Sequence, residues 1–194
     1  MQSAQACIET YIRAKDENRP FLMERVFAEN ATLQMVVKTE AISFPPISKG
    51  LESITDTLVR RFAQTYENVH TLCLAQPPRN SEMRFSCSWL VAMSEKDARS
   101  VRVGCGRYDW LFTSTVPRLV EQLTITVEAM QSLDPTHLGS VMNWLSGLPH
   151  PWCEPQRALR SAPALDALRS LQQYIDRVIS TAPESVSTAA ERQR

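Results

Sequence analysis

The spacing of hydrophobic positions along this chain changes twice, from the three- and four-residue period of helices to the two-residue period of strands and back again. Ala4, Cys7, Ile8, Tyr11 and Ile12 mark a first amphipathic helix. Asn18 and Pro20 form a stop and restart, and Phe21, Leu22, Val26 and Phe27 give a second short helix its buried stripe. A sharp stop is expected at residues 27–31, with Asn30 as a left-handed terminator. Two short strands follow: Leu33, Met35 and Val37 carry the first, and Ile42 and Phe44 the second, before the Pro45-Pro46 break. Gly50 then opens a helix whose apolar face is Leu51, Ile54, Leu58, Phe62 and Tyr66.

Four longer strand patterns occupy about 69–75, 82–93, 100–113 and 118–131. The second alternates most clearly, with Met83, Phe85, Cys87, Trp89, Val91 and Met93 on one face. Short turns at 77–80, 94–97 and 115–117 imply neighbouring antiparallel strands. Helices first and a meander second predict an α+β fold: a strongly curved antiparallel sheet wrapped around N-terminal helices, a cone that encloses a pocket.

After Leu133 the period returns to that of helices. Asp134-Pro135 is an N-cap with a first-turn proline, and Leu138, Val141, Met142 and Leu145 make a helix ended by Gly147. Prolines recur too often between Leu148 and Pro155 for regular helix. A last helix is expected from about 163 to 179. The expected organisation is a cone at 1–133, a helical extension at 134–182, and a disordered tail at 183–194. The extension's apolar stripe has three destinations open to it: the sheet's outer face, the pocket mouth, or a second subunit.

Composition narrows the partners. Twenty-one basic and 21 acidic side chains leave a formal net charge of +0 without a basic block, which argues against nucleic acid. No apolar run reaches the roughly 18 residues of a membrane span, and the polar start is unlike an export signal, so a cytoplasmic location is expected. Five widely spaced cysteines suit reduced core thiols better than a disulfide framework. His150 and Cys153 lack a second pair at zinc spacing, so no metal is expected. Glycine-rich phosphate loops and nucleophile elbows are absent from the sequence.

The segments Tyr11-Ile12-Arg13-Ala14, Phe27-Ala28-Glu29-Asn30-Ala31-Thr32 and Lys49-Gly50-Leu51-Glu52-Ser53-Ile54, with the later Gly106-Arg107-Tyr108-Asp109, resemble SnoaL-like members of the NTF2-like superfamily. The resemblance covers about 4–131 and implies the ketosteroid-isomerase-like cone. It also implies roles for single residues. Tyr11 resembles that branch's hydrogen-bonding tyrosine, and Asp109 its aspartic acid on the penultimate strand. Met35 stands where the branch has its proton-abstracting aspartate, and a thioether cannot take a proton, which argues against the isomerase reaction.

Strand pairing extends this constellation. With a symmetric 94–99 loop, Trp89 faces Cys105, Cys87 faces Arg107, and Phe85 faces Asp109; a tight turn at 114–117 brings Glu121 diagonal to Asp109. Arg107, Asp109, Glu121 and His70 then share the concave face, and Tyr108, Trp110 and Phe112 the outer one. A one-residue slip would reverse this. The catalytic candidates are Asp109, His70 and Tyr11. Arg107, Trp89, Phe85, Cys87, Met35, Phe62 and Glu121 are candidates for ligand binding. A structural Arg107–Asp109 ion pair and an ordinary strand-edge His70 are the plainer alternatives.

The resulting expectation is a cone that binds a small, apolar or semi-polar molecule. If it catalyses, the reaction is cofactor-independent acid–base chemistry of isomerase, dehydratase or hydrolase type. The alternative is a non-catalytic dimerisation or interaction module, or an accessory subunit of a larger enzyme. A homodimer is expected, with neither nucleic acid nor membrane as partner.

Overall fold

The computed structural model describes residues 3–181; the expected tail at 183–194 lies outside the described residues. Helix α1 (Ala4–Asp16) starts where the Ser3 hydroxyl accepts from the Ala6 N–H at 3.1 Å. It buries the stripe that the heptad-like spacing indicates, and Lys15 with it. The chain reverses at Asn18, whose φ of 52° is left-handed, into a 3-10 turn at Pro20–Arg25.

Strand β1 (Phe27–Val37) begins where a stop was expected. The reason is a partner from far along the chain: β1 lies parallel to β6 (Val120–Leu133), with Phe27 opposite Val120 and Met35 opposite Ile125. The second short strand also moves. β2 is Ile47–Lys49, paired with residues 32–34, while residues 38–46 form a loop. Pro45 and Pro46 have no N–H to donate to a ladder, and among the described residues the one bond from this stretch to β1 is the Pro46 carbonyl accepting from the Met35 N–H at 2.9 Å. Gly50 turns β2 into α2 with a φ of 84°, a conformation that favours glycine. Helix α2 (Leu51–Thr55) passes through one wide π turn at Asp56–Arg60 into α3 (Phe62–Thr65).

Strands β3 (Tyr66–Leu74), β4 (Arg84–Glu95), β5 (Val101–Phe112) and β6 form the antiparallel meander. Spatial order is β2-β1-β6-β5-β4-β3. The curved sheet closes over α1, α2 and α3, and its concave face holds a core of residues such as Tyr11, Phe27, Leu33, Trp89 and Trp110.

Beyond β6, Asp134 caps a 3-10 turn by accepting from the Thr136 N–H, and helix α4 (Leu138–Ser146) ends at Gly147. Helix α5 (Pro155–Arg160), which the sequence reading lacks, leads through residues 166–168 to α6 (Arg169–Thr181). These helices take the first of the three destinations. Val141, Leu145, Leu168, Leu171 and Ile175 pack on Leu72, Leu90, Val101, Val103 and Cys105 of the convex face. Between α4 and α5, the Cys73 N–H donates to the Pro151 carbonyl at 2.6 Å and the Cys153 N–H to the Cys73 carbonyl at 2.9 Å. Residues 151–153 thereby cover the open edge of β3. All five cysteines are buried, and none is in a disulfide. Among the described residues, no helix is long and apolar enough to cross a membrane.

Candidate functional site

Register decides which side chains look into the cone. The β4–β5 turn closes with Ser94 opposite Val101, leaving six residues, 95–100, in the loop. Arg99 in that loop has a φ of 54°. The pairing expected from sequence, with Trp89 opposite Cys105, is out of this register by one residue. The consequence is a one-residue slip: Trp89 faces Gly106, Cys87 faces Tyr108, and Ser86 faces Asp109. Because alternate residues point to opposite faces, every side chain of β5 is reversed relative to that expectation.

Arg107 and Asp109 are therefore on the convex side. They pair with each other at 2.8 Å, and the Ser86 hydroxyl donates to Asp109 at 2.5 Å. The Arg107 side chain is 56% exposed, so this is a solvated surface pair and not a pocket anchor. Glu121 is exposed, left unpaired where the β5–β6 register shifts between Leu111 and Phe112. His70, expected on the concave face, is opposite Ala92 instead, because β3 and β4 are joined by a loop longer than residues 76–81, and this turns it outward. There its ring packs against that of His150, tilted by 41° with centroids 4.6 Å apart. Burial, and next the neighbouring His150, pull the His70 pKa below its ordinary value, and its Nε2 is buried without a partner.

Tyr108, Trp110 and Phe112, expected outside, line the interior. Tyr11 sits among them, edge-on to Phe27, Tyr108 and Trp110 at 6.3, 5.9 and 5.3 Å. Its hydroxyl shares a hydrogen bond with that of Tyr108, and burial raises both phenols above the ordinary tyrosine range. Of the remaining candidates, Met35, Phe62 and Trp89 line a hollow in the cone. Cys87 is buried against Cys73; that hydrogen bond, then burial, raises the Cys73 thiol. Phe85 faces inward at one end, edge-on to Trp152 at 6.1 Å.

The hollow measures about 50 Å³, and its wall is mostly apolar, with Ile125, Val127 and Met130 from β6 opposite Leu58 and Phe62. Ile42 and Phe44 of the 38–46 loop, with Phe62, form part of its wall. The same three side chains also line a vestibule of about 300 Å³, where Ser43, Thr57, Arg61, Thr65 and Tyr66 supply polar groups. The polar lining of the hollow itself is Tyr11, Lys15, Trp89 and Tyr108.

Lys15 is the residue that sequence reasoning missed. It is 7% exposed, and its Nζ donates to Asp16 Oδ1 at 2.6 Å and to Thr71 Oγ1 at 2.8 Å, over the Phe62 ring at 5.1 Å. Asp16 in turn accepts from the Thr71 N–H at 2.7 Å and from its hydroxyl at 2.8 Å. The network therefore also satisfies a donor on the open edge of β3. A lysine at the next three-residue step after Ile12 in the stripe Ile8, Tyr11, Ile12 was the available signal.

Trp89 is opposite Gly106, with its ring close against it. A Cβ at Gly106 would stand 1.9 Å from the Thr126 carbonyl oxygen and 2.7 Å from the Trp89 ring, so the position requires glycine. Trp89 Nε1 is buried with no acceptor.

No protein-family model matches the chain, and no curated protein matches it either. Solved structures do. An NTF2-like superfamily protein from Salmonella enterica serovar Typhimurium is 13% identical with a TM-score of 0.53, over 64% of this chain and 88% of that one. A hexachlorocyclohexane dehydrochlorinase, LinA-type3 from Novosphingobium barchaimii, is 10% identical with a TM-score of 0.54, over 68% and 88%. A ketosteroid isomerase-like protein from Erwinia carotovora atroseptica is 8% identical with a TM-score of 0.50, over 66% and 95%. At these identities the likeness is one of fold: the chain has the NTF2-like cone.

Proposed function

We propose that this NTF2-like chain binds a small, mostly apolar molecule inside its cone, behind a gate made by Ile42, Phe44 and Phe62. The observation that carries the proposal is an apolar hollow with four polar side chains in its wall, one of them an unpartnered buried donor. Buried polar groups are ordinarily paired, and their exceptions need a reason. At about 50 Å³ the hollow has room for only a few waters. With the gate parted it joins the 300 Å³ vestibule, and the sum enters the range of ligand pockets, about 300–1,000 Å³. The neighbours of this fold described as a dehydrochlorinase and as ketosteroid isomerase-like support a pocket function.

The lining favours binding over acid–base catalysis. Among the described residues no carboxylate or imidazole lines the hollow. Asp16 stands just behind Lys15, and its oxygens are occupied by Lys15 and Thr71. The phenols of Tyr11 and Tyr108 are raised by burial, so neither is a base near neutral pH. Toluene titration followed by saturation-transfer NMR tests the proposal. Uptake that is faster in Phe44→Ala supports it, and silence in both proteins counts against it.

How nearly full the cone is favours a second reading, a non-catalytic interaction module or accessory subunit. Its docking surface would not be the apolar half of the convex face, which α4, α5 and α6 cover. A homodimer would use other exposed apolar groups such as Phe21 and Ile47. Sedimentation equilibrium decides this reading: the 21.9 kDa monomer mass would remove the homodimer, and twice that mass would support it.

A further inference from the structure

We infer, on the reading that the cone takes a small molecule, that this molecule is an amphiphile with an anionic head, of the class of a short aliphatic carboxylic acid: its apolar tail enters the hollow and its carboxylate rests in the vestibule against Arg61. One helical stretch faces both cavities. Thr57, Arg61 and Thr65, four residues apart, line the vestibule. Leu58 and Phe62, also four apart and one position further on, line the hollow. Residues at that spacing share a helix face, so the stretch presents a polar stripe and an apolar stripe side by side. Ile42, Phe44 and Phe62 belong to both walls, which makes the two cavities neighbours. A molecule that occupies both therefore has an apolar end and a polar end.

The sign of the polar end follows from the charges. Among the described residues, Arg61 is the one charged side chain that lines the vestibule. It is 68% exposed, so a ligand there can reach it. Asp56 Oδ2 stands 2.6 Å from Arg61 Nε and does not line the vestibule. A guanidinium carries five N–H donors, so the fork keeps its two terminal nitrogens for a second carboxylate. An exposed pair such as Arg61–Asp56 contributes little by itself, and sharing the cation costs correspondingly little. Ser43 and Thr65, both exposed, add hydroxyls. Tyr66, tilted against Phe62 with centroids 4.9 Å apart, adds a phenol that burial keeps protonated and able to donate. Lys15 offers no alternative: it lines the hollow, is 7% exposed, and is balanced by Asp16 at 2.6 Å. A carboxylate pushed into the hollow would lose water and find no free counter-charge, whereas in the vestibule it keeps water and gains Arg61.

Hexanoate, hexan-1-ol and hexylammonium share a tail and differ in the head, which makes them the probes. Met35, Met93 and Met130 line the hollow, so their 13C-labelled methyl signals report entry of the tail, with Met35→Leu, Met93→Leu and Met130→Leu assigning them. Hexanoate is expected to shift these signals and to bind more tightly than hexylammonium. The ratio of hexanoate to hexanol affinity is expected to fall about three- to fivefold in Arg61→Gln, the range of one exposed ion pair, and to be largely restored in Arg61→Lys. Added salt should weaken hexanoate and spare hexanol. An unchanged ratio in Arg61→Gln, or hexylammonium binding as tightly as hexanoate, would overturn the inference while leaving the binding reading standing. Failure of all three probes to shift the methionine signals would overturn the binding reading, and this inference with it. Should Arg61→Gln not fold, the comparison of hexanoate with hexylammonium on the wild type and its dependence on salt decide the matter.

Discussion

Replacing Lys15 by methionine tests the polar network at the base of the cone. The side chains of Lys15 and Asp16 are 7% and 9% exposed, so both charges are largely withdrawn from water. Methionine preserves the length of the stem and removes the ammonium. The Asp16 carboxylate is then left with its two Thr71 hydrogen bonds and no counter-charge. Breaking one side of a buried pair costs about 3–5 kcal/mol, far more than the pair contributes relative to apolar replacements. For a chain of this size each kcal/mol lowers the Tm by about 2–4 °C, so the loss should be roughly 6–20 °C. Urea denaturation of Lys15→Met, Asp16→Asn and the double variant measures the coupling. The double variant should be less damaged than the sum of the singles, because no buried charge is orphaned. A loss under about 1 kcal/mol in Lys15→Met, with additive singles, would refute the reasoning and place both charges in solvent.

The other predictions concern register, packing and pH. Gly106→Ala should be severely destabilising or fail to fold, since the new Cβ meets the Thr126 carbonyl at 1.9 Å; a melting curve close to wild type would mean the bulged β5–β6 pairing is wrong. Arg107→Ala and Asp109→Asn should each change stability by at most about 1 kcal/mol and leave ligand uptake intact, as expected of an exposed pair; loss of uptake in either would return them to the site. His70 has a pKa pulled below the ordinary 6.5 by burial and His150, so the unfolded chain binds its proton first. Stability should accordingly be full above pH about 6.5 and decline as pH falls below it, and His70→Gln should flatten that part of the urea midpoint against pH curve; an unaltered slope would contradict the assignment.

The sequence carried the architecture further than the site. Alternation in 82–93 and the turn residues around it were enough to place four strands, and the return of helical spacing after Leu133 to place the extension. What local pattern could not supply was the pairing. The turn residues around 94–100, Arg99 in a left-handed conformation among them, do not say which of two registers one residue apart closes the hairpin, yet the choice turns Arg107 and Asp109 outward and Tyr108 and Trp110 inward. The register shift between Cys105 and Gly106 leaves Glu128 without an opposite residue on β5, and only Gly106 hinted at it. β1 is fixed by a parallel partner almost a hundred residues away, which no local signal at 27–31 encodes. Lys15 was legible in principle, as a charge standing in an apolar helical stripe. Its meaning depended on Asp16 and Thr71 meeting across 55 residues of chain.

The claim on which the rest depends is that the hollow between Trp89, Tyr108 and Val127 admits a small molecule. Val127→Phe should fill that hollow while keeping an apolar side chain on the concave face of β6. Saturation-transfer NMR with cyclohexanone, run on the wild type and on Val127→Phe with folding checked by melting, measures admission directly. Uptake by the wild type and its loss in a folded Val127→Phe is the predicted result. Equal signals from the two proteins, or none from the wild type, would contradict the account.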